Sequence, residues 1–67
     1  MSPKRLSVVI RRLRQTKGIT QRDLAAQAKV TGAYVAQLET GAKKNPSLDV
    51  LKRLAKALGV PVTELLE

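Results

Sequence analysis

Apolar residues recur along the first third of the chain with the spacing of an α-helix. Positions i, i+3, i+4 and i+7 of this stretch, which share one helical face, are Leu6, Val9, Ile10 and Leu13. Ser2 is suited to cap the start of such a helix, and Pro3 fits its first position because the missing N–H is not needed there. Gly18 is suited to its end. The pattern predicts an amphipathic first helix over residues 3–17.

A second, shorter pattern begins after Thr20. Thr20 is a candidate N-cap, and Asp23, three residues later, completes the capping-box spacing. The apolar positions that follow fall on one narrow stripe and are Leu24, Ala25 and Ala28. These residues predict a second helix over residues 21–28.

The third predicted helix, residues 32–40, presents an unusual face to solvent. Thr31 is suited to cap it and Gly41 to end it, while its apolar side is marked by Val35 and Leu38. The opposite side carries short or uncharged residues, namely Gly32, Ala33, Ala36, Gln37 and Thr40. A face built this way suits close approach to another surface.

Two more helices are predicted before the chain ends. Ser47 is suited to cap a helix over residues 48–58, whose inward positions would be Leu48, Leu51, Leu54, Ala55 and Leu58. After Pro61 a last short helix is predicted over residues 62–66. Near it, we expect Val62 and either Leu65 or Leu66 to be exposed. No run alternates with the two-residue period of a strand, so the expected fold is an all-α domain of five helices.

Length and composition narrow the possibilities for function. The 67 residues allow a single domain, 1–67, and contain no cysteine and no histidine. We therefore expect no metal site and no cofactor, and no enzyme, since neither a catalytic inventory nor a glycine-rich phosphate loop is visible. The chain has no long apolar run, which argues against a membrane span or a signal peptide. These features fit a cytoplasmic protein.

The charge balance points to a polyanionic partner. Thirteen lysines and arginines stand against five acidic residues, a formal net charge of +8 at pH 7. Taken alone, this excess fits a basic solvated surface equally well. Single-stranded RNA is a weak candidate, because its recognition usually uses aromatic stacking and Tyr34 is the sole aromatic residue.

Several short motifs, in their order along the chain, are similar to one known family. They are Leu13-Arg14, Lys17-Gly18, Thr20-Gln21, Leu24-Ala25, Val35, Leu38-Glu39, Gly41, Pro46-Ser47-Leu48, Leu54-Ala55, Leu58-Gly59-Val60 and Leu65-Leu66. From about Leu6 to Leu66, the chain resembles the Cro and lambda-repressor (XRE-type) family of helix-turn-helix proteins. The resemblance implies a compact five-helix lambda-repressor-like fold with a central helix-turn-helix. It also implies sequence-specific binding of double-stranded DNA, usually as a dimeric transcriptional repressor or activator associated with the nucleoid.

Under this resemblance the third helix would enter the major groove of DNA. Residues on the groove floor must be small, or long and polar with a defined contact. The residues predicted to contact bases are Gln37, Ala33, Gly32 and Ala36. The Gln37 amide can pair with N6 and N7 of adenine, whereas the alanines can lie against thymine methyls. The alternative is that Gln37 is an ordinary surface glutamine.

Further residues are expected to hold the phosphate backbone or to stabilise the domain. The predicted phosphate contacts are Gln21, Thr40, Lys43, Lys44, Tyr34 and Arg22. Tyr34 could equally cover the edge of the core. Arg14 lies at the border of the first apolar stripe and needs a partner, for which Glu39 is the candidate that the resemblance supports. The alternative is that Arg14 extends into water.

Two functions from different classes remain open on the sequence alone. The first is a regulator that binds a two-fold symmetric operator as a homodimer. The second is an antitoxin-type interaction module that neutralises a toxin protein and represses its own promoter.

Overall fold

Five α-helices form the described part of the chain, residues 3–43 and 45–66, in a computed structural model of the protein. They are α1 (Pro3–Lys17), α2 (Gln21–Ala28), α3 (Gly32–Thr40), α4 (Leu48–Leu58) and α5 (Thr63–Leu66). The prediction of an all-α, five-helix domain is confirmed. Within this described part, none of the helices is long and apolar enough to cross a bilayer. The predicted cap Ser2 lies outside the described residues.

Side-chain caps fix the starts of the three central helices. Thr20 Oγ1 accepts a hydrogen bond from the Asp23 N–H at 3.0 Å, and Asp23 Oδ2 accepts one from the Thr20 N–H at 3.1 Å. This reciprocal pair is the predicted capping box. Thr31 caps α3 through the Tyr34 N–H at 3.0 Å, and Ser47 caps α4 through the Val50 N–H at 3.2 Å. The three predicted N-caps are therefore confirmed.

The ends of the central helices differ in the residue that closes them. Gly41 ends α3 with φ 86° and Gly59 ends α4 with φ 73°, both in the left-handed region that favours glycine. At the end of α2 the same conformation is held by Lys29, with φ 59°. Left-handed backbone costs a residue with a side chain about 1–2 kcal/mol. The turn between α2 and α3 therefore carries strain that the sequence did not predict.

One aliphatic core lies between the helices. Its buried members are Leu6, Ile10, Leu24, Ala25, Ala28, Val35, Leu38, Leu51, Leu54, Ala55, Ala57, Leu58 and Leu65. The second helix packs against α3 and α4, the first against α3, and α5 closes the core against α1 and α4. This packing sets the angle between α2 and α3 and, within the described part of the chain, leaves most of the outer side of α3 exposed.

In the C-terminal half, the prediction for Leu48 was wrong, and the open choice between Leu65 and Leu66 is settled. Leu48 was expected to be buried, but it is 53% exposed, at the first position of α4. Leu65, expected as one candidate for an exposed residue, is 1% exposed and belongs to the core, while its neighbour Leu66 is exposed. The last helix begins at Thr63 rather than Val62. Ala57, which the apolar stripe did not include, is buried.

Candidate DNA-binding interface

The second and third helices form the helix-turn-helix pair on which the candidate site is built. Their apolar sides face each other through the core residues Leu24, Ala25 and Val35. The Val30 N–H donates to the Ala25 carbonyl at 2.9 Å, which closes the turn between them. With one side of α3 fixed in the core, its other side forms a fixed external surface.

That external surface of α3 consists of small side chains and one amide. Gly32, Ala33 and Gln37 are exposed, as is Thr40, and Ala36 is half-buried. A Cβ added at Gly32 would meet no atom within 4 Å, so the fold itself does not require a glycine there. A side chain at this position would instead stand between α3 and whatever α3 approaches. The helix is thus suited to a close contact along this side.

Gln37 lies on this surface, and its side chain can both donate and accept hydrogen bonds. Among the described residues, no partner occupies its amide. Its backbone carbonyl accepts bonds from Thr40 Oγ1 at 3.2 Å and from the Lys43 N–H at 3.1 Å. The side chain of Thr40 is therefore already committed as a donor, and it also accepts from the Ala42 N–H at 3.4 Å. A phosphate oxygen, which can only accept, would have to displace the bond from Thr40 to Gln37.

Arg14, Glu39 and Gln21 form a hydrogen-bonded network between the first three helices. Arg14 Nε donates to Glu39 Oε2 at 2.6 Å and Arg14 Nη2 donates to Glu39 Oε1 at 3.0 Å. The side chain of Glu39 is 2% exposed and that of Arg14 is 14% exposed. A third donor, Arg14 Nη1, binds the Ile19 carbonyl at 3.0 Å. The structure thus brings the two predicted ion-pair partners into a two-pronged, nearly dry contact.

The protonation state of Glu39 follows from this network. Burial of the carboxyl would raise its pKa, but the hydrogen bonds from Arg14 and Gln21, aided by the charge of Arg14, more than offset burial and leave the pKa below the ordinary value. The same contact raises the pKa of Arg14, chiefly through the hydrogen bond to Glu39. The pair is accordingly charged at neutral pH.

The network also orients Gln21, the first residue of α2. Gln21 Nε2 donates to Glu39 Oε1 at 3.1 Å. An amide nitrogen carries two hydrogens, so one N–H remains for a second acceptor. A cleft of about 540 Å³ opens beside it, lined by Arg14, Gly18, Ile19, Thr20, Gln21 and Arg22. Free N–H groups and positive dipole at a helix start favour an anion in such a place.

The hydrogen bond between Gln21 and Glu39 is not predicted by the sequence. The sequence predicts Arg14 as the partner of Glu39 and predicts Gln21 separately, as a phosphate contact. The two residues are 18 positions apart and on different helices, so no local spacing relates them. Only the packing of α2 against α3 places the two side chains together.

The remaining predicted phosphate contacts are placed in different ways. Tyr34 is half-buried and packs against the core, and Lys43 Nζ lies 5.7 Å from the centre of its ring. Lys43 is otherwise exposed at the end of α3, and Arg22 is exposed on the first turn of α2. Lys44 lies outside the described residues. Its contact with the core explains why Tyr34 is half-buried, and no contact with DNA is needed to explain it.

Known proteins resemble this chain over most of its length. A family model described as Helix-turn-helix matches residues 10–65. The chain is 41% identical over 58 residues to the HTH-type transcriptional regulator DdrOP3 of Deinococcus deserti, covering 87% of this chain and 44% of that protein. It therefore spans less than half the length of that regulator.

Solved structures agree with the sequence comparison. The restriction-modification controller protein C.AhdI of Aeromonas hydrophila matches with a TM-score of 0.89 and 33% identity, covering 94% of each chain. The master regulator for biofilm formation SinR, of Bacillus subtilis and solved in complex with DNA, matches with a TM-score of 0.88 and 31% identity, covering 92% of this chain and 98% of that one. With the matched helix-turn-helix at its centre, the chain belongs to the XRE-type helix-turn-helix family of DNA-binding transcriptional regulators.

Proposed function

We propose that the protein binds a short two-fold symmetric DNA operator as a homodimer, with α3 in the major groove, and represses transcription. The observation that carries this proposal is the external surface of α3. It combines the small residues Gly32, Ala33 and Ala36 with the amide of Gln37, which has no partner among the described residues. The major groove is wide enough for one helix, and a glutamine amide matches the donor and acceptor edge of adenine.

Phosphate contacts would fix the register of α3 on the duplex. Gln21 is the first residue of α2, and its side-chain amide donates one N–H to Glu39. The second N–H of that amide is available for a phosphate oxygen. Arg22 is exposed beside it, and Lys43 lies at the other end of the motif, after α3. We propose Lys44 as a neighbouring contact and Thr40 as one that requires exchange of its present hydrogen bond. Such contacts position the protein without reading sequence.

Dimerisation on DNA is the step that gives the operator its symmetry. Leu48 and Leu66 are large apolar residues that the monomer leaves exposed. These two groups, with Val8 as the third exposed large apolar residue among the described ones, support a small interface, so we expect pairing to be weak in solution and to become stable when both subunits hold the same duplex. The half-sites would then lie about one helical turn apart, roughly 34 Å. Repression follows from occupancy, because a protein bound over a promoter excludes polymerase without any further contact.

The test is selection of binding sites from a pool of random duplexes. The proposal predicts a palindrome whose half-sites are separated by about 10 base pairs. Recovery of single, asymmetric half-sites would contradict dimeric binding, and failure to enrich any sequence would contradict specific recognition. A reporter promoter that carries the selected site should lose expression when the protein is produced. A rise in expression would contradict repression.

A further inference from the structure

A second cleft lies at the C-terminal end of α2, where it meets α4. Its volume is about 360 Å³, and its lining residues are Gln27, Lys29, Arg53, Lys56 and Ala57. Gln21, the proposed phosphate contact, is at the opposite end of the eight-residue α2, about 10 Å away along the axis. No residue of α3 lines this cleft. It is therefore separate from the surface proposed to bind DNA.

The charged residues that line this cleft are all cations. Lys29, Arg53 and Lys56 are cations, and no carboxylate is among the lining residues. The acidic group in reach is Asp49, whose Oδ2 lies 3.3 Å from Arg53 Nη2 and whose side chain is 80% exposed. Three cations gathered around a concave surface repel one another, and an anion that enters would relieve this repulsion.

Arg53 is poorly satisfied where it stands. Its bond to the Lys29 carbonyl is 3.4 Å long, beyond the roughly 2.7–3.2 Å of ordinary N–H···O bonds. Its contact with Asp49 is 3.3 Å, whereas guanidinium bonds to carboxylates are usually about 2.7–2.9 Å. Its Nε is buried and has no partner among the described residues. A guanidinium binds carboxylate best through two parallel N–H groups, and Arg53 uses no such pair at present.

Lys29 adds an independent indication. Within the described part of the chain, Lys29 has a positive φ, 59°, although it is not a glycine. Glycine would close α2 at lower cost, since it adopts this conformation without strain. Strained residues of this kind are concentrated at functional sites. A lysine here places a cation at the rim of the cleft, which glycine would not provide.

We propose that this cleft binds an acidic segment of a partner protein, with one carboxylate on Arg53 and flanking carboxylates on Lys29 and Lys56. A concave site with Ala57 among its lining residues suits a peptide better than it suits a DNA backbone, which approaches the other end of α2. A second copy of this chain is a poor occupant. The chain has five acidic residues in all, and Asp23, Glu39 and Asp49 are already engaged in contacts.

The test uses a hexaglutamate peptide as the probe, titrated into the full chain labelled with ¹⁵N, with hexaglutamine as the uncharged control. Amide shifts should move at Lys29, Arg53 and Lys56, with little change at Gln21 or Gln37. Shifts that concentrate on Gln21 and Gln37 would mean that the peptide merely imitates DNA, which would overturn the proposal. Equal shifts with hexaglutamine, or none with hexaglutamate, would also overturn it.

Variants in α4 sharpen the test. Lys56→Gln should weaken peptide binding about two- to fivefold, as expected for one exposed ion pair. Lys52→Gln removes an equal charge from the same helix outside the cleft and should have no comparable effect. Asp49→Asn frees Arg53 from its competitor and should strengthen binding. An equal loss for Lys52→Gln and Lys56→Gln would show that only net charge matters, and would refute a defined site.

DNA binding separates this proposal from the proposed function. Lys56→Gln should leave the affinity for the selected operator and its salt dependence unchanged. A flatter salt dependence would place Lys56 on DNA and contradict a separate protein site. Failure of operator binding in the wild type would refute the proposed function without affecting the peptide result.

Discussion

Lys29 ends α2 with a positive φ, at a position where glycine is the usual residue. Sequence reasoning recognised the caps at Thr20, Thr31 and Ser47 because a cap depends on a hydroxyl and the next three residues alone. The same reasoning recognised Gly41, since glycine is the usual residue where φ is positive. It had no basis for expecting a lysine in that conformation, because the turn is imposed by the packing of α2 against α3 and α4.

Replacing this lysine by glycine tests the strain. We expect Lys29→Gly to stabilise the domain by about 1 kcal/mol, because glycine adopts a positive φ without the steric penalty. For a chain of this size, the melting temperature should rise by roughly 4–8 °C. Lys52→Gly, in the interior of α4, is the matched control and should lower stability by about 1 kcal/mol. A loss of stability in Lys29→Gly would show that the lysine side chain contributes more than its backbone costs.

Between helices, the contact of Arg14 with Glu39 joins α1 to the end of α3. Removing one partner leaves the other charge nearly dry, so Glu39→Ala should cost about 3–5 kcal/mol. That loss is comparable to the whole stability of so small a domain, so the variants are best compared by urea unfolding in the Lys29→Gly background. The double variant with Arg14→Ala should lose less than the sum of the two single variants. Additive losses would mean that the two residues do not interact.

The same contact makes stability depend on pH in a defined direction. The pKa of Glu39 is lower in the folded protein than its ordinary value of 4.5, so its stabilising contribution is present at neutral pH. It is lost as pH falls below that value and through the folded pKa. Glu39→Gln should therefore show a shallower decline in stability between about pH 5 and pH 3 than the wild type. Parallel curves for the two proteins would contradict a charged, buried Glu39.

Helix positions were easier to predict from the sequence than contacts between helices. The apolar spacing of α1 to α4 reports which side of each helix is buried, but not how far the covering layer extends. Leu48 fits the apolar stripe of α4 and is nevertheless exposed, whereas Leu65 is buried because α5 closes against α1 and α4. The bond from Gln21 to Glu39 is likewise a product of packing.

Over the whole molecule, the excess of positive charge serves more than one purpose. The Lys17 ammonium donates to the Ala57 carbonyl and so caps the end of α4. Three further cations line the cleft beside α4. The thirteen lysines and arginines thus overstate the number of groups that are free to meet phosphates, and only the structure separates them.

The salt dependence of DNA binding measures the cations that do meet phosphates. Lys43→Ala should weaken binding to operator and random DNA alike, and it should reduce the slope of log affinity against log salt by about one unit. Lys52→Ala is the control, since it removes an exposed cation from α4 and should leave the slope unchanged. An unchanged slope in Lys43→Ala would remove this residue from the phosphate contacts and leave it as the partner of the Tyr34 ring.

The central claim, that α3 reads bases through Gln37, is tested most directly by titrating Gln37→Ala against the selected operator, its single-base variants and random DNA at fixed salt. Because the side chain is exposed and unpartnered among the described residues, the melting temperature should hardly change. Affinity for the operator should fall by about 1–3 kcal/mol and preference should relax at one base pair per half-site, while binding to random DNA stays the same. Gln27→Ala, the same change at the far end of α2, should affect none of these. An equal loss on operator and random DNA, or no loss on either, would contradict base reading by Gln37.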